Sequence, residues 1–134
     1  MLRSFLENAR RQRVLTSEAK QAALRSLQGW NLSEGESEIT KTFQFDGFKP
    51  ASFFLTRLNN WCTKTGQTPV WSNVYNTVNV RITTEEFNDL TSKDIELAKY
   101  LDTVHIASDL NAKLSLGYEE SSLVQTSIEG ILND

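Results

Sequence analysis

The chain has 134 residues, of which 39% are hydrophobic, 23% charged and 10% aromatic, enough for one buried core and too few for two. A net charge of −3 argues against broad binding to nucleic-acid phosphates. No apolar run approaches the roughly 20 residues of a membrane-spanning helix, and the single cysteine, Cys62, excludes an internal disulfide and suits a reducing compartment.

Residues 1–15 read as an N-terminal arm. It is basic through Arg3, Arg10, Arg11 and Arg13, with Leu2, Phe5 and Leu6 as apolar anchors. Two readings stay open for it: an organelle-targeting presequence, or a helical extension, which Glu7 favours because targeting segments are poor in acids. The localisation expected is therefore cytoplasmic or organellar, mitochondrial in the targeting case. A helix begins after Thr16 as its N-cap, carries Ala22, Ala23, Leu24 and Leu27, and stops at Gly29. Trp30-Asn31-Leu32 then forms a short strand, a polar turn surrounds Gly35, and Ile39 to Phe45 alternates with a period of two, placing Phe43 and Phe45 on one face.

The second helix takes Pro50 in its first turn, where the missing N–H costs nothing. Ala51, Phe54, Leu55, Leu58, Trp61 and Cys62 make a wide apolar stripe, and Gly66 closes the helix in the left-handed conformation. A long strand is expected from about Val74 to Thr83, with Val78, Val80 and Ile82 on the buried face. The last core helix is capped by Thr91 with Asp94 three residues on, and buries Ile95, Ala98 and Leu101. The order of helix, two strands, helix, one or two strands, helix predicts an α+β fold with helices on one face of an antiparallel sheet. The core domain spans 16–108. Residues 109–134 read as a C-terminal extension, acidic at Glu119, Glu120, Glu129 and Asp134, with a short amphipathic helix around Leu123 to Leu132.

The run Gln67-Thr68-Pro69-Val70-Trp71-Ser72-Asn73-Val74-Tyr75-Asn76, together with Gly29-Trp30-Asn31, Phe43-Gln44-Phe45, Thr56-Arg57 and Asp94-Ile95, resembles the pterin-4a-carbinolamine dehydratases. That family is also known as the dimerisation cofactor of a homeodomain transcription factor. The resemblance covers roughly Leu15 to Val104. It implies a four-stranded antiparallel sheet covered on one side by helices, dimers formed through sheet edges, and tetramers formed through helices. It also implies loss of water from 4a-hydroxytetrahydropterin, a reaction of proton transfers that imidazoles serve well because they titrate near neutrality.

At the family's site positions this chain differs. A glutamate is replaced by Thr63, the two histidines of a His-His-Pro run by Gln67 and Thr68, and a strand-end histidine by Glu85; the aspartate is kept as Asp94. Gln and Thr hydrogen-bond but do not titrate near neutral pH. Trp71 is either a stacking surface for a ring or a framework residue. The sole histidine, His105, is expected at the surface or as a helix-dipole partner, and Cys62 in the core. No metal-ligand set or glycine-rich phosphate loop is present, so no cofactor is expected.

Three functions compete. The first is a catalytically degenerate relative working as a binding, assembly or dimerisation module with a protein partner. The second is an active dehydratase rebuilt on Glu85 and Asp94, two carboxylates able to split their pKa values, with Thr63, Gln67, Thr68 and Trp71 lining the substrate pocket. The third is a pterin binder without turnover. In each case the chain is expected as a homodimer or homotetramer, without direct nucleic-acid or membrane binding.

Overall fold

Capping residues and glycine stops decide where this chain turns helical, and the structure, a computed structural model, describes residues 14–117, with side chains through 111. The basic arm before residue 14 and the expected helix around Leu123 to Leu132 lie outside the described residues. α1 (Ser17–Arg25) starts at Thr16, whose side chain accepts the Ala19 N–H, but it ends at Ser26, whose N–H donates to Ala23 O, so Leu27 and the expected stop at Gly29 fall outside it. α2 (Phe48–Thr65) carries Pro50 in its first turn and ends at Gly66, whose φ of 77° is open to glycine without strain. α3 (Ser92–Gly117) runs on well past residue 108. None of the helices described is long and apolar enough to cross a membrane.

The sheet is antiparallel in the order β1-β2-β4-β3: β1 (Asn31–Leu32), β2 (Ile39–Gln44), β4 (Thr77–Ile82) and β3 (Val70–Val74). The strand expected from about Val74 to Thr83 is β4, shorter at Thr77–Ile82 and with Val78, Val80 and Ile82 buried as expected, and a further strand precedes it to make a hairpin. β3 ends at Val74, a turn at Tyr75 and Asn76 reverses the chain, and β4 begins at Thr77. The turn is held by Asn73, whose amide donates to the carbonyls of Tyr75 and Thr77, and by Asn76, whose amide donates to Phe45 O. Two asparagines inside an otherwise apolar run carry that reversal.

Period-two alternation sorts the sheet residues. Ile39, Phe43, Val78, Val80 and Ile82 turn inward and are almost wholly buried, meeting Ala51, Phe54 and Leu58 of α2 and Leu97, Ala98, Leu101 and Val104 of α3. Phe43 lies 4.7 Å from Phe54 between ring centroids, at the centre of this core. The three helices among the described residues lie on this side. The opposite face carries Asn31, Thr40, Thr42, Ser72, Asn79 and Arg81 around an open trough of about 380 Å³.

Two charged groups on the helix side are anchored in the core rather than solvated. Lys20 is 6% exposed and bonds Asp89 Oδ1 at 2.6 Å. Lys41 donates to Asp102 Oδ1 and Gln28 O, while Trp30 Nε1 donates to the same Asp102 carboxylate. His105 corrects the expectation of a surface role. Its ring packs edge-on against Phe43 and Phe45, and Nε2 lies 2.9 Å from Gln44 O. A carbonyl only accepts, so Nε2 carries the proton, and the ring joins α3 to the end of β2.

Candidate functional site

Three segments converge at the N-terminal end of α3: the exit from α2 (Gly66 to Pro69), the loop after β4 (Thr83 to Leu90), and Thr91 to Asp94. The convergence follows from local rules. Gly66 turns the chain out of α2, buried Pro69 leads it into β3, and Thr91 and Asp94 form a reciprocal cap. In that cap Asp94 N–H donates to Thr91 O at 3.1 Å, and Thr91 N–H donates to Asp94 Oδ2 at 2.9 Å.

Asp94 is 1% exposed. Its Oδ2 also accepts from Thr84 Oγ1 at 2.7 Å and from Thr91 Oγ1 at 3.4 Å, so every donor to this carboxylate among the described residues goes to one oxygen. Burial pushes the carboxyl above its ordinary value of 3.8. The hydrogen bonds from Thr84 and Thr91 pull it back, and the Asp89 charge adds to the rise. Asp89 itself feels the opposite balance. Burial raises it, but the Lys20 hydrogen bond, the Leu90 N–H and the Lys20 charge together bring it below 3.8.

Gln67 bridges the site. Its Oε1 accepts from Trp61 Nε1 at 2.7 Å, and its Nε2 donates to Lys93 O, one residue before Asp94, at 3.1 Å. The Trp61 ring stacks on Tyr100 with centroids 4.4 Å apart, so this tryptophan joins α2 to α3. Trp71 remains 37% exposed on β3. Thr68 is exposed beside buried Pro69. Thr63 is exposed on the last turn of α2 and donates its hydroxyl back to Asn59 O. Glu85 is exposed in the loop after β4, where its carbonyl accepts from Asn88 N–H.

The hydrogen bonds reach the neighbours of the expected residues. Gln67 contacts the residue before Asp94, and Thr84, the residue before Glu85, contacts Asp94 directly. Thr63 turns its hydroxyl back onto its own helix. His105 serves the far end of β2. The trough on the open sheet face is a separate feature, and Trp71 is the one expected site residue among those that line it. The sequence reading missed Lys20, Thr84 and Asp89. Lys20 was detectable, because it shares the apolar face of α1 with Ala23, Leu24 and Leu27, where a lysine needs a buried partner.

Helices on one face of a four-stranded antiparallel sheet, with candidate groups at the loops entering the last helix, place the chain in the α+β class. The model of the pterin 4 alpha carbinolamine dehydratase family matches residues 13–104, and the chain belongs to that family. A Rhodopseudomonas palustris relative, itself assigned as a pterin-4-alpha-carbinolamine dehydratase only by inference, is 40% identical over 90 residues, covering 67% of this chain and 89% of its own. The structure of a Brucella melitensis protein described as a transcriptional coactivator/pterin dehydratase is 33% identical with a TM-score of 0.66, covering 69% of this chain and 98% of that one. A pterin dehydratase-like protein described as a RuBisCO assembly factor of the alpha-carboxysome shares the fold at 19% identity, with a TM-score of 0.51 and coverage of 57% of this chain and 89% of that one.

Proposed function

We propose that this chain is a homo-oligomeric binding module built on the pterin dehydratase scaffold, without the dehydration chemistry. The observation that carries this is Gln67. At the position of the family's first imidazole it spends both ends of its amide on structure, tying the end of α2 to the start of α3. An amide held this way neither titrates near neutrality nor turns toward a substrate. Thr63 is likewise bonded to its own helix, and Glu85 stands in solvent. The Brucella relative carries a coactivator role alongside a dehydratase role in its description, so a binding role on this scaffold has company.

One observation favours a second reading, residual dehydratase activity. Burial raises the Asp94 pKa, the direction a general acid needs, and its Oδ1 accepts no hydrogen bond among the described residues. The test is to supply freshly generated 4a-hydroxytetrahydropterin and follow quinonoid dihydropterin. The binding-module reading expects no rate above the spontaneous one. It expects gain in the triple variant Gln67→His, Thr68→His, Glu85→His, since general acid–base groups contribute about 10²–10⁴-fold. A rate well above background that disappears in Asp94→Asn or Glu85→Gln overturns it. Calorimetry with tetrahydrobiopterin separates a silent pterin binder from a module whose ligand is a protein.

A further inference from the structure

The exposed face of α3 changes character along its length. Over the first half it carries Ser92, Lys93, Glu96, Lys99 and Thr103, all polar and all exposed. Past Val104, where the match to the family ends, the same face carries Ile106, 70% exposed, and Leu110, 51% exposed. Large aliphatic residues one turn apart make a row rather than a scatter, and the sequence puts Leu114 at the next step of it. The other side of these turns is already used, since Val104 and Ser108 are buried. At His105 the helix has reached Gln44, the last residue of β2. From there to Gly117 it runs on for about 18 Å at 1.5 Å per residue.

The sequence after α3 contains a second row that matches the first. Val124, Ile128, Ile131 and Leu132 recur at i, i+4, i+7 and i+8, one face of a helix. Ser122-Leu123-Val124-Gln125 has the form of a capping box, which supplies the start. Tyr118 to Ser121 then make the connection from Gly117, within the two to five or so residues that join antiparallel helices. The rows are equal in length: Ile106 to Leu114 and Val124 to Leu132 each span about 12 Å of helix. The second row also needs a partner. Gly130 within it costs about 1 kcal/mol against alanine, and a helix this short is marginal alone in water.

We infer that residues 122–132 fold back along α3 as the second arm of an antiparallel helical hairpin and cover Ile106 and Leu110. In that register Val124 falls opposite Leu114, Ile128 opposite Leu110, and Ile131 and Leu132 opposite Ile106. The short connection holds the segment beside the row at an effective concentration of roughly millimolar, so it outcompetes a second copy of the chain in dilute solution. The hairpin is an addition to the family scaffold, built past residue 104 and away from Gln67, which contacts the opposite end of α3. It goes beyond the binding-module reading and does not depend on it.

Hydrogen exchange on the full chain tests this without any substitution. Amides of residues 124–132 exchange at least about tenfold more slowly than in a free peptide of the same sequence, the factor that 1.4 kcal/mol of docking gives. In the variant Ile106→Ser with Leu110→Ser that protection is lost, while amides of Leu97 to Leu101 in the core keep theirs. A disulfide checks the register. In a Cys62→Ser background, Leu110→Cys with Ile128→Cys closes within one chain under mild oxidation. Lys99→Cys with Ile128→Cys does not, because Lys99 lies about 16 Å earlier on the same face, beyond the reach of a disulfide. Unprotected amides in the wild type, or protection that survives the double serine variant, overturns the inference. So does a Leu110→Cys, Ile128→Cys chain that stays reduced or links only to another chain, the latter assigning the face to a second copy. Dehydratase activity in the pterin assay overturns the proposed function and leaves these readouts untouched.

Discussion

Removing the Asp89 carboxylate while keeping its shape, as Asp89→Asn, isolates the contact that pins α1 to the site loop. Lys20 Nζ lies 2.6 Å from Asp89 Oδ1, with side-chain exposures of 7% for Lys20 and 30% for Asp89. Breaking a fully buried pair costs about 3–5 kcal/mol because a charge is left uncompensated, and an exposed pair contributes about 0–1 kcal/mol. With the lysine buried and the aspartate partly wet, the cost falls between, at about 2–3 kcal/mol. Lys20→Met costs less, about 1 kcal/mol, because Asp89 keeps the Leu90 N–H and part of its hydration. The double variant should cost little more than Lys20→Met alone. Urea unfolding reads this out: with slopes of about 1–3 kcal/mol per molar, the Asp89→Asn midpoint drops by about 1 M or more. The Asp89 pKa is depressed in the folded state, so its contribution is complete above 3.8 and is lost as pH falls through the folded value; the penalty should shrink in that acidic range. An unchanged midpoint, or single variants that simply add, would refute a coupled pair.

Asp94 has the opposite sign. Its folded pKa lies above 3.8, so ionisation disfavours the fold as pH rises from 3.8 through the folded value, and the destabilisation by Asp94→Asn in thermal melts should be smaller at pH 7 than near pH 4. Gln67→Ala leaves the Trp61 indole N–H and the Lys93 carbonyl without this partner, and should lower unfolding stability by about 1–3 kcal/mol; a change below 0.5 kcal/mol would separate Gln67 from the α2–α3 contact. Tyr75→Gly relieves the left-handed strain, so it should raise stability by about 0.5 kcal/mol in urea.

Helix positions were open to reading from the sequence because their signals are local. The Thr16 cap, the Gly66 stop and the Thr91–Asp94 cap each involve residues within a turn of one another, and the structure keeps all three. The β3–β4 hairpin was missed for a related reason. Its turn has no glycine, and the device that makes it, the Asn73 amide spanning to Tyr75 and Thr77, looks in sequence like one more polar residue in a strand. Partners distant along the chain were not readable at all: Lys20 with Asp89, Lys41 with Asp102, and His105 with Gln44 are contacts that only the packing of α1 and α3 on the sheet creates.

The site was half readable, and the unread half changes its meaning. Substituting uncharged residues for imidazoles at Gln67 and Thr68 is visible in the sequence. That Gln67 was then absorbed into the framework is not. A glutamine that merely filled a histidine's place would leave Trp61 and Lys93 to find other partners. Here Trp61 Nε1, Gln67 and Lys93 O form one chain of hydrogen bonds that holds the entry to α3. On the binding-module reading the position has passed from chemistry to structure, and reversing it demands more than restoring a titrating group. Gln67→His must also replace two hydrogen bonds, so the triple histidine variant should regain activity only as far as α2 and α3 stay docked. Its thermal stability and its rate, measured together, distinguish an empty catalytic position from one rebuilt as a strut.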